Sequence, residues 1–152
     1  MPRHPLPPLG PAWAGSVMGT SLTATMTDIH GATLLSPVFL GIATLIFLSV
    51  TVGWLRHTNP SFTQPYMGPW GMYFMGVLAL GGAWTRITGN WGWQMGTWLV
   101  ATPLALFVSL WQLKKFHGAP TFFWGLSLVP PMVSANSGAQ LVASGVLDGR
   151  WA

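Results

Sequence analysis

The chain has 152 residues, 51% of them hydrophobic and only 5% charged, with a formal net charge of +4 at pH 7. A soluble domain is roughly one quarter charged, so this composition excludes a water-soluble fold and points to a polytopic membrane protein. With no Cys there is no disulfide or thiolate metal site, and six scattered basic residues are too few for nucleic acid.

The ionisable residues fall in narrow bands: Arg3 with His4, Asp28 with His30, Arg56 with His57, Arg86 alone, Lys114 and Lys115 with His117, and Asp148 with Arg150. Between them lie uncharged runs at 5–27, 31–55, 58–85, 87–113 and 118–147. Each is long enough for the roughly 20 residues that cross a ~30 Å hydrocarbon core. A charge at mid-membrane costs about 2.5–3.5 kcal/mol on insertion scales, which accounts for the banding. The pattern predicts an all-α fold with five transmembrane helices, near 11–27, 35–55, 69–87, 93–113 and 121–145. They form a membrane domain over 11–147, between a Pro-rich amino terminus (1–10) and a short tail (148–152).

In chain order, the first span, "PAWAGSVMGTSLTATMT", is short and rich in Ser and Thr. It lacks the apolar core and cleavage pattern of a signal peptide and is expected to stay in the protein. Ser16, Gly19, Thr20, Thr23 and Thr27 recur at steps of three and four and share one helical face. The second span is dense in Leu, Ile, Phe and Val. The third, "PWGMYFMGVLALGGAWTRI", places Met72, Met75, Ala79 and Gly82 on one face. The fourth resembles the second, with Trp91, Trp93 and Trp111 near its ends, where aromatic belts lie. The fifth holds "LVPPMVSANSGAQL", with Pro131, Ser134, Gly138 and Leu141 on a common face. Odd helices rich in small and polar residues and greasy even ones suggest hairpins, each with an inner and an outer member.

Lys and Arg bias sets the orientation. With the amino terminus in the cytoplasm, Arg3, Arg56, Lys114 and Lys115 lie inside, against Arg86 and Arg150 outside.

The candidate functional residues are Ser16, Gly19, Thr20 and Thr23 on the first span and Pro130, Pro131, Ser134, Asn136, Ser137 and Gly138 on the fifth. One reading is packing: small residues let helices approach, and hydroxyls bond backbone carbonyls. That reading weighs more for any single residue. The sharper reading is an aqueous path, since irregular backbone at membrane depth must be buried in protein or line a cavity. Pro130 and Pro131 remove two amide donors and are expected to free carbonyls a turn earlier. Gly15, Gly19, Gly76, Gly82 and Gly138 serve close packing or bending. Arg86 marks a membrane boundary, with attraction of anions at a pore mouth as the second option.

No acid, base or His lies deep in a span. Intramembrane carboxylates mark proton and cation pathways, so their absence fits an anion path lined by hydroxyls and helix dipoles. No His and carboxylate set at a metal-ligand spacing is present, nor any catalytic triad, phosphate loop or carboxylate pair. The expectation is a non-enzymatic protein without metal or cofactor.

"GPAWAGSVMGTSLTATM" resembles the opening of the tellurite-resistance and dicarboxylate transporter family, whose first helix commonly reads Pro-x-Trp-Phe-x-Ser-Val-Met-Gly-Thr-Gly. Here Ala14 and Ser21 replace the usual Phe and Gly. "YMGPWGMYFMGVLALGGAWT" and "VPPMVSANSGA" are similar to the family's third and fifth helices. Malate permeases, sulfite efflux pumps and plant slow anion channels belong to it.

The resemblance implies a fold of about ten helices in hairpins, odd helices in an inner ring and even ones in an outer ring. It implies a pore in each protomer of a trimer, of which this chain is the amino-terminal half. A later helix of the family carries a pore-occluding Phe, and no residue here takes that role. The implied function is transport of small anions (dicarboxylate, sulfite, tellurite-related, halide or nitrate) across the plasma membrane, as channel or carrier. The implied partners are the lipid bilayer, further copies of the chain, or a missing carboxyl-terminal half. The alternatives are a non-transporting assembly protein or an inactive fragment.

Overall fold

The computed structural model describes residues 10–57, 67–114 and 128–147. Positions 1–9 of the Pro-rich amino terminus, 121–127 of the expected fifth span and the tail 148–152 lie outside the described residues. All regular structure among the described residues is helical. A 3₁₀ turn, Pro11–Trp13, leads into α1 (Ala14–Ile29); α2 (Leu35–His57), α3 (Met67–Thr88), α4 (Gly92–Leu113) and α5 (Val129–Ala143) follow.

Local sequence sets the helix ends. After α1, Gly31 takes a left-handed φ of 77°, and the Ala32 amide donates to the Thr27 carbonyl at 2.8 Å. Gly89 (φ 71°) ends α3 and Gly145 (φ 74°) follows α5 in the same way, a conformation a side chain would strain. Asn90 then opens α4, its side-chain oxygen accepting the Gly92 amide at 2.9 Å. At α5, Pro130 and Pro131 fall in the first turn. Amides there have no intrahelical acceptor, so losing them costs little. The proline that does lie within a helix is Pro103 of α4.

Packing alternates. α1 and α2 form one hairpin and α3 and α4 another, while α3 packs on α1 and α5. α2 backs the seam between α1 and α3; α4 backs the seam between α3 and α5. One core cluster joins Val17 and Ala24 of α1 with Leu40 and Ala43 of α2 and Leu80 and Ala83 of α3. The other joins Trp70, Phe74 and Leu78 of α3 with Ala101, Ala105 and Val108 of α4, and Val133 of α5 packs onto it. The odd helices thus form an inner row with α3 at its centre and the even helices an outer row.

Small residues set the spacing. A Cβ at Gly76 would stand 3.3 Å from the Ala14 carbonyl and 3.4 Å from the Val17 Cβ, so a small residue lets α3 lie close against α1 here. At Gly19, expected to serve such an approach, nothing lies within 4 Å. A Cβ at Gly81 would stand 2.8 Å from the Thr97 Cβ, at the crossing of α3 and α4.

Five spans were expected. By length and composition two of the described helices are apolar enough to cross a membrane: α2 over Leu35–Arg56 (mean hydropathy 2.2) and α4 over Gly92–Leu113 (1.4). α1 and the described α5 are short, with 16 and 15 residues, and in α3 Gly and Met dilute the large aliphatics. The even helices also turn large apolar side chains outward, among them Leu45 (65% exposed) and Leu48 on α2 and Val100 (62%), Leu104 and Leu110 on α4. Large apolar side chains exposed in this number fit lipid, since soluble monomers rarely expose large apolar patches.

Candidate functional site

The inner row encloses an open-sided groove of about 790 Å³. α1 contributes Met18, Leu22 and Thr25; α3 contributes Leu78, Ala79 and Gly82; α5 contributes Val133, Asn136 and Ser137. α1 and α5 flank the groove, each packed against α3. Its wall mixes apolar and small residues with uncharged polar ones such as Thr25 and Asn136, and its charged lining residues, Asp28 and Arg86, sit together in the last turns of α1 and α3. The Arg86 Nε–H donates to Asp28 Oδ2 at 2.8 Å.

A polar rim surrounds this charged end. Gln94, in the first turn of α4, is buried, with 2% of its surface exposed. Its side-chain amide donates to Gln140 Oε1 at 2.8 Å and to the Ser137 carbonyl at 3.3 Å. Its backbone amide donates to Thr85 Oγ1 at 2.9 Å. One residue therefore ties α3, α4 and α5 together at the groove mouth. One turn further along α4, the Trp98 indole N–H donates to the Ser134 carbonyl at 2.9 Å.

The residues singled out from the sequence separate into four environments. Asn136 and Ser137 line the groove. Ser134 and Gly138 instead face α4: the Ser134 hydroxyl is buried without a hydrogen-bond partner, and a Cβ at Gly138 would lie 3.2 Å from the Trp98 ring. Pro130 is buried and Pro131 partly so, both at the start of α5.

Ser16, Gly19, Thr20 and Thr23 do not line the groove; they lie roughly half a turn around α1 from Met18 and Leu22. Their hydroxyls bond their own helix, Ser16 to the Trp13 carbonyl (2.6 Å), Thr20 to Ser16 (2.8 Å) and Thr23 to Gly19 (3.0 Å). A hydroxyl satisfied in this way is compatible with an apolar neighbour. Ser16 also borders a separate cleft of about 300 Å³ between α1 and α2.

Sequence reasoning passed over Gln94, Gln140, Thr85 and Trp98. One signal was available. Gln94 opens the fourth span and Gln140 lies late in the fifth, so antiparallel neighbours bring them to the same end. Trp98 follows Gln94 by four residues, the spacing of one helical face. Among the described residues no group of His, Cys, Asp and Glu is placed to hold a metal ion.

Among the described residues these features define a helical protein with two helices apolar enough to cross a membrane and small-residue helices that wall a groove whose charged lining residues stand at its mouth. The chain matches the voltage-dependent anion channel (SLAC1) family over residues 8–152, nearly its whole length, and belongs to that family. No curated protein and no solved structure matches it.

Proposed function

We propose that the groove between α1, α3 and α5 is one wall of a transmembrane path for small anions. The observation that carries this reading is the distribution of charge along the groove. Its length holds Met18, Leu22, Leu78, Ala79 and Gly82, and its charged side chains stand at one end. A carboxylate within the membrane would repel an anion, and a buried cation would trap it; a wall of small residues and amides does neither. Membership of the anion channel family supports the same reading.

In this proposal all five helices cross the plasma membrane with the amino terminus in the cytoplasm, as the Lys and Arg bias favours. The path resembles that of the tellurite-resistance and dicarboxylate transporters. Because the groove is open along one side among the described residues, closing it takes further segments, from other copies in a trimer or from elsewhere in a longer assembly. A chain that only assembles into such a wall and conducts nothing by itself is the second reading, and the open side is the observation that favours it.

Nitrate or chloride efflux from vesicles reconstituted with the protein tests the proposal. Flux above that of empty vesicles, reduced when Gly82→Leu fills the groove, is the expected result. Flux no greater than in empty vesicles, with the protein folded and inserted, overturns conduction by this chain. The mass of the assembly in detergent separates the two readings.

A further inference from the structure

We infer that Arg86 captures a singly charged anion at the groove mouth, and that Asp28 positions its guanidinium while limiting how tightly the anion is held. The inference rests on the reading of the groove as an anion path. It starts from the donors left over at this end. The first-turn amides of α4 also open here, but they are taken: Gly92 by the Asn90 side chain, Trp93 by the Asn90 carbonyl and Gln94 by Thr85. A helix amino terminus therefore offers the anion little. Arg86 offers more. Its hydrogen bond to Asp28 uses Nε alone, and its two terminal nitrogens meet no acceptor among the described residues. The side chain is 53% exposed and lines the groove. The terminal edge of a guanidinium is a planar fork suited to a small anion.

The placement of Asp28 is otherwise hard to explain. It is one of two acidic residues in the chain, and it stands in the last turn of α1, where the helix dipole disfavours a negative charge. Half-exposed ion pairs contribute little to stability, so tying α1 to α3 is a weak reason to keep it. Beside a capturing Arg its effect is direct. It fixes the guanidinium through Nε and cancels most of the positive field. An arriving monovalent anion meets a neutralised cation and is held loosely, as conduction needs. A divalent anion brings a second charge toward the Asp28 carboxylate and is disfavoured.

The line width of chloride in chlorine NMR, measured on the intact detergent-purified chain, tests this. The wild-type protein is expected to broaden the line, and nitrate to reverse the broadening at lower concentration than sulfate. Arg86→Gln lowers the broadening about five- to tenfold, the factor a unit charge at contact range gives near water. Arg86→Lys keeps the charge and falls between. Asp28→Asn raises the broadening and narrows the gap between nitrate and sulfate.

A purely structural tie predicts something else: Asp28→Asn and Arg86→Gln break the same bond and act in the same direction. That result, or wild-type broadening equal to that of Arg86→Gln, overturns the inference. Circular dichroism establishes that each variant is folded, and Arg86→Lys serves if Arg86→Gln is not. Binding without vesicle flux would sink the conduction reading and leave the site; flux without Arg86-dependent broadening would do the reverse.

Discussion

Adjacent glycines on α3 give a test of the packing with its own control. A Cβ at Gly81 would lie 2.8 Å from both Cβ and Cγ2 of Thr97 and still closer to its hydroxyl, while one at Gly82 meets nothing within 4 Å. Rotating Thr97 cannot relieve Gly81→Ala, because the position of the Thr97 Cβ is fixed by the backbone. The hydroxyl is also held by the carbonyls of Trp93 (2.9 Å) and Gln94 (3.1 Å).

α3 and α4 must therefore separate by about 1 Å, and a gap of that size forfeits a quarter to a half of each contact across it. Overpacking of this kind costs about 1–3 kcal/mol, against a gain of up to about 1 kcal/mol in helix propensity that both substitutions share. Gly81→Ala is expected to destabilise by roughly 1–2 kcal/mol and Gly82→Ala to be neutral or slightly stabilising. Unfolding in a denaturing detergent series, followed by tryptophan fluorescence, measures the difference. Equal stability of the two variants would refute the close crossing of α3 and α4 at this point.

Other substitutions probe the site and its surroundings. Gln94→Leu leaves the Gln140 side chain and the Ser137 carbonyl without their donor, while the backbone bond to Thr85 stays, and is expected to cost about 1–3 kcal/mol in the same assay. Trp98→Phe removes one hydrogen bond between α4 and α5 and should cost about 0.5–1.5 kcal/mol. Leu45→Lys on the outer face of α2 places a charge in lipid; insertion measured by glycosylation or expression should fall as for a penalty of about 3 kcal/mol. In vesicles, Asn136→Leu on the groove wall is expected to lower anion flux, and the combined Ser16→Ala, Thr20→Ala and Thr23→Ala variant to leave it within about twofold, the spread expected of surface changes away from the path.

Much of the architecture was legible because the membrane makes charge expensive. The bands at Asp28, Arg56, Arg86 and Lys114 fall at helix ends, as that cost predicts, and the Leu-rich α2 turns large apolar side chains outward where the Gly-rich α3 packs closely. The direction of each face was less legible. Spacing shows that Ser16, Thr20 and Thr23 share a face, but Met18, Leu22 and Thr25 share another by the same rule, and the second one meets the groove. Hydroxyls that bond their own carbonyls have no need of water, so polarity was a poor guide to the inner side.

On α5 the expected face was rotated by roughly one residue, about 100°. Ser134, Gly138 and Leu141 pack inward, while Val133, Asn136, Ser137 and Gln140 reach the groove. What fixes that rotation is Trp98 against Gly138 and Gln94 against Gln140, contacts between residues about forty apart that no local pattern encodes. The proline pair was ambiguous for a related reason: the residues that break a helix interior are well suited to begin one. Within α3, Ala79 and Gly82 of the expected face border the groove, while Met72 and Met75 of the same face do not, and Met75 is buried.

The native chain contains no Cys, so single cysteines can be introduced without a background. Cysteines at Met18, Leu22, Ala79, Gly82, Val133 and Asn136, each exposed in vesicles to a membrane-impermeant thiol reagent, test the groove most directly. The account predicts that these positions react and that modification reduces anion flux, while cysteines at Thr20, Thr23, Leu45 and Leu104 stay unreactive. Reaction along the Thr20 and Thr23 face, with the groove positions silent, would contradict it.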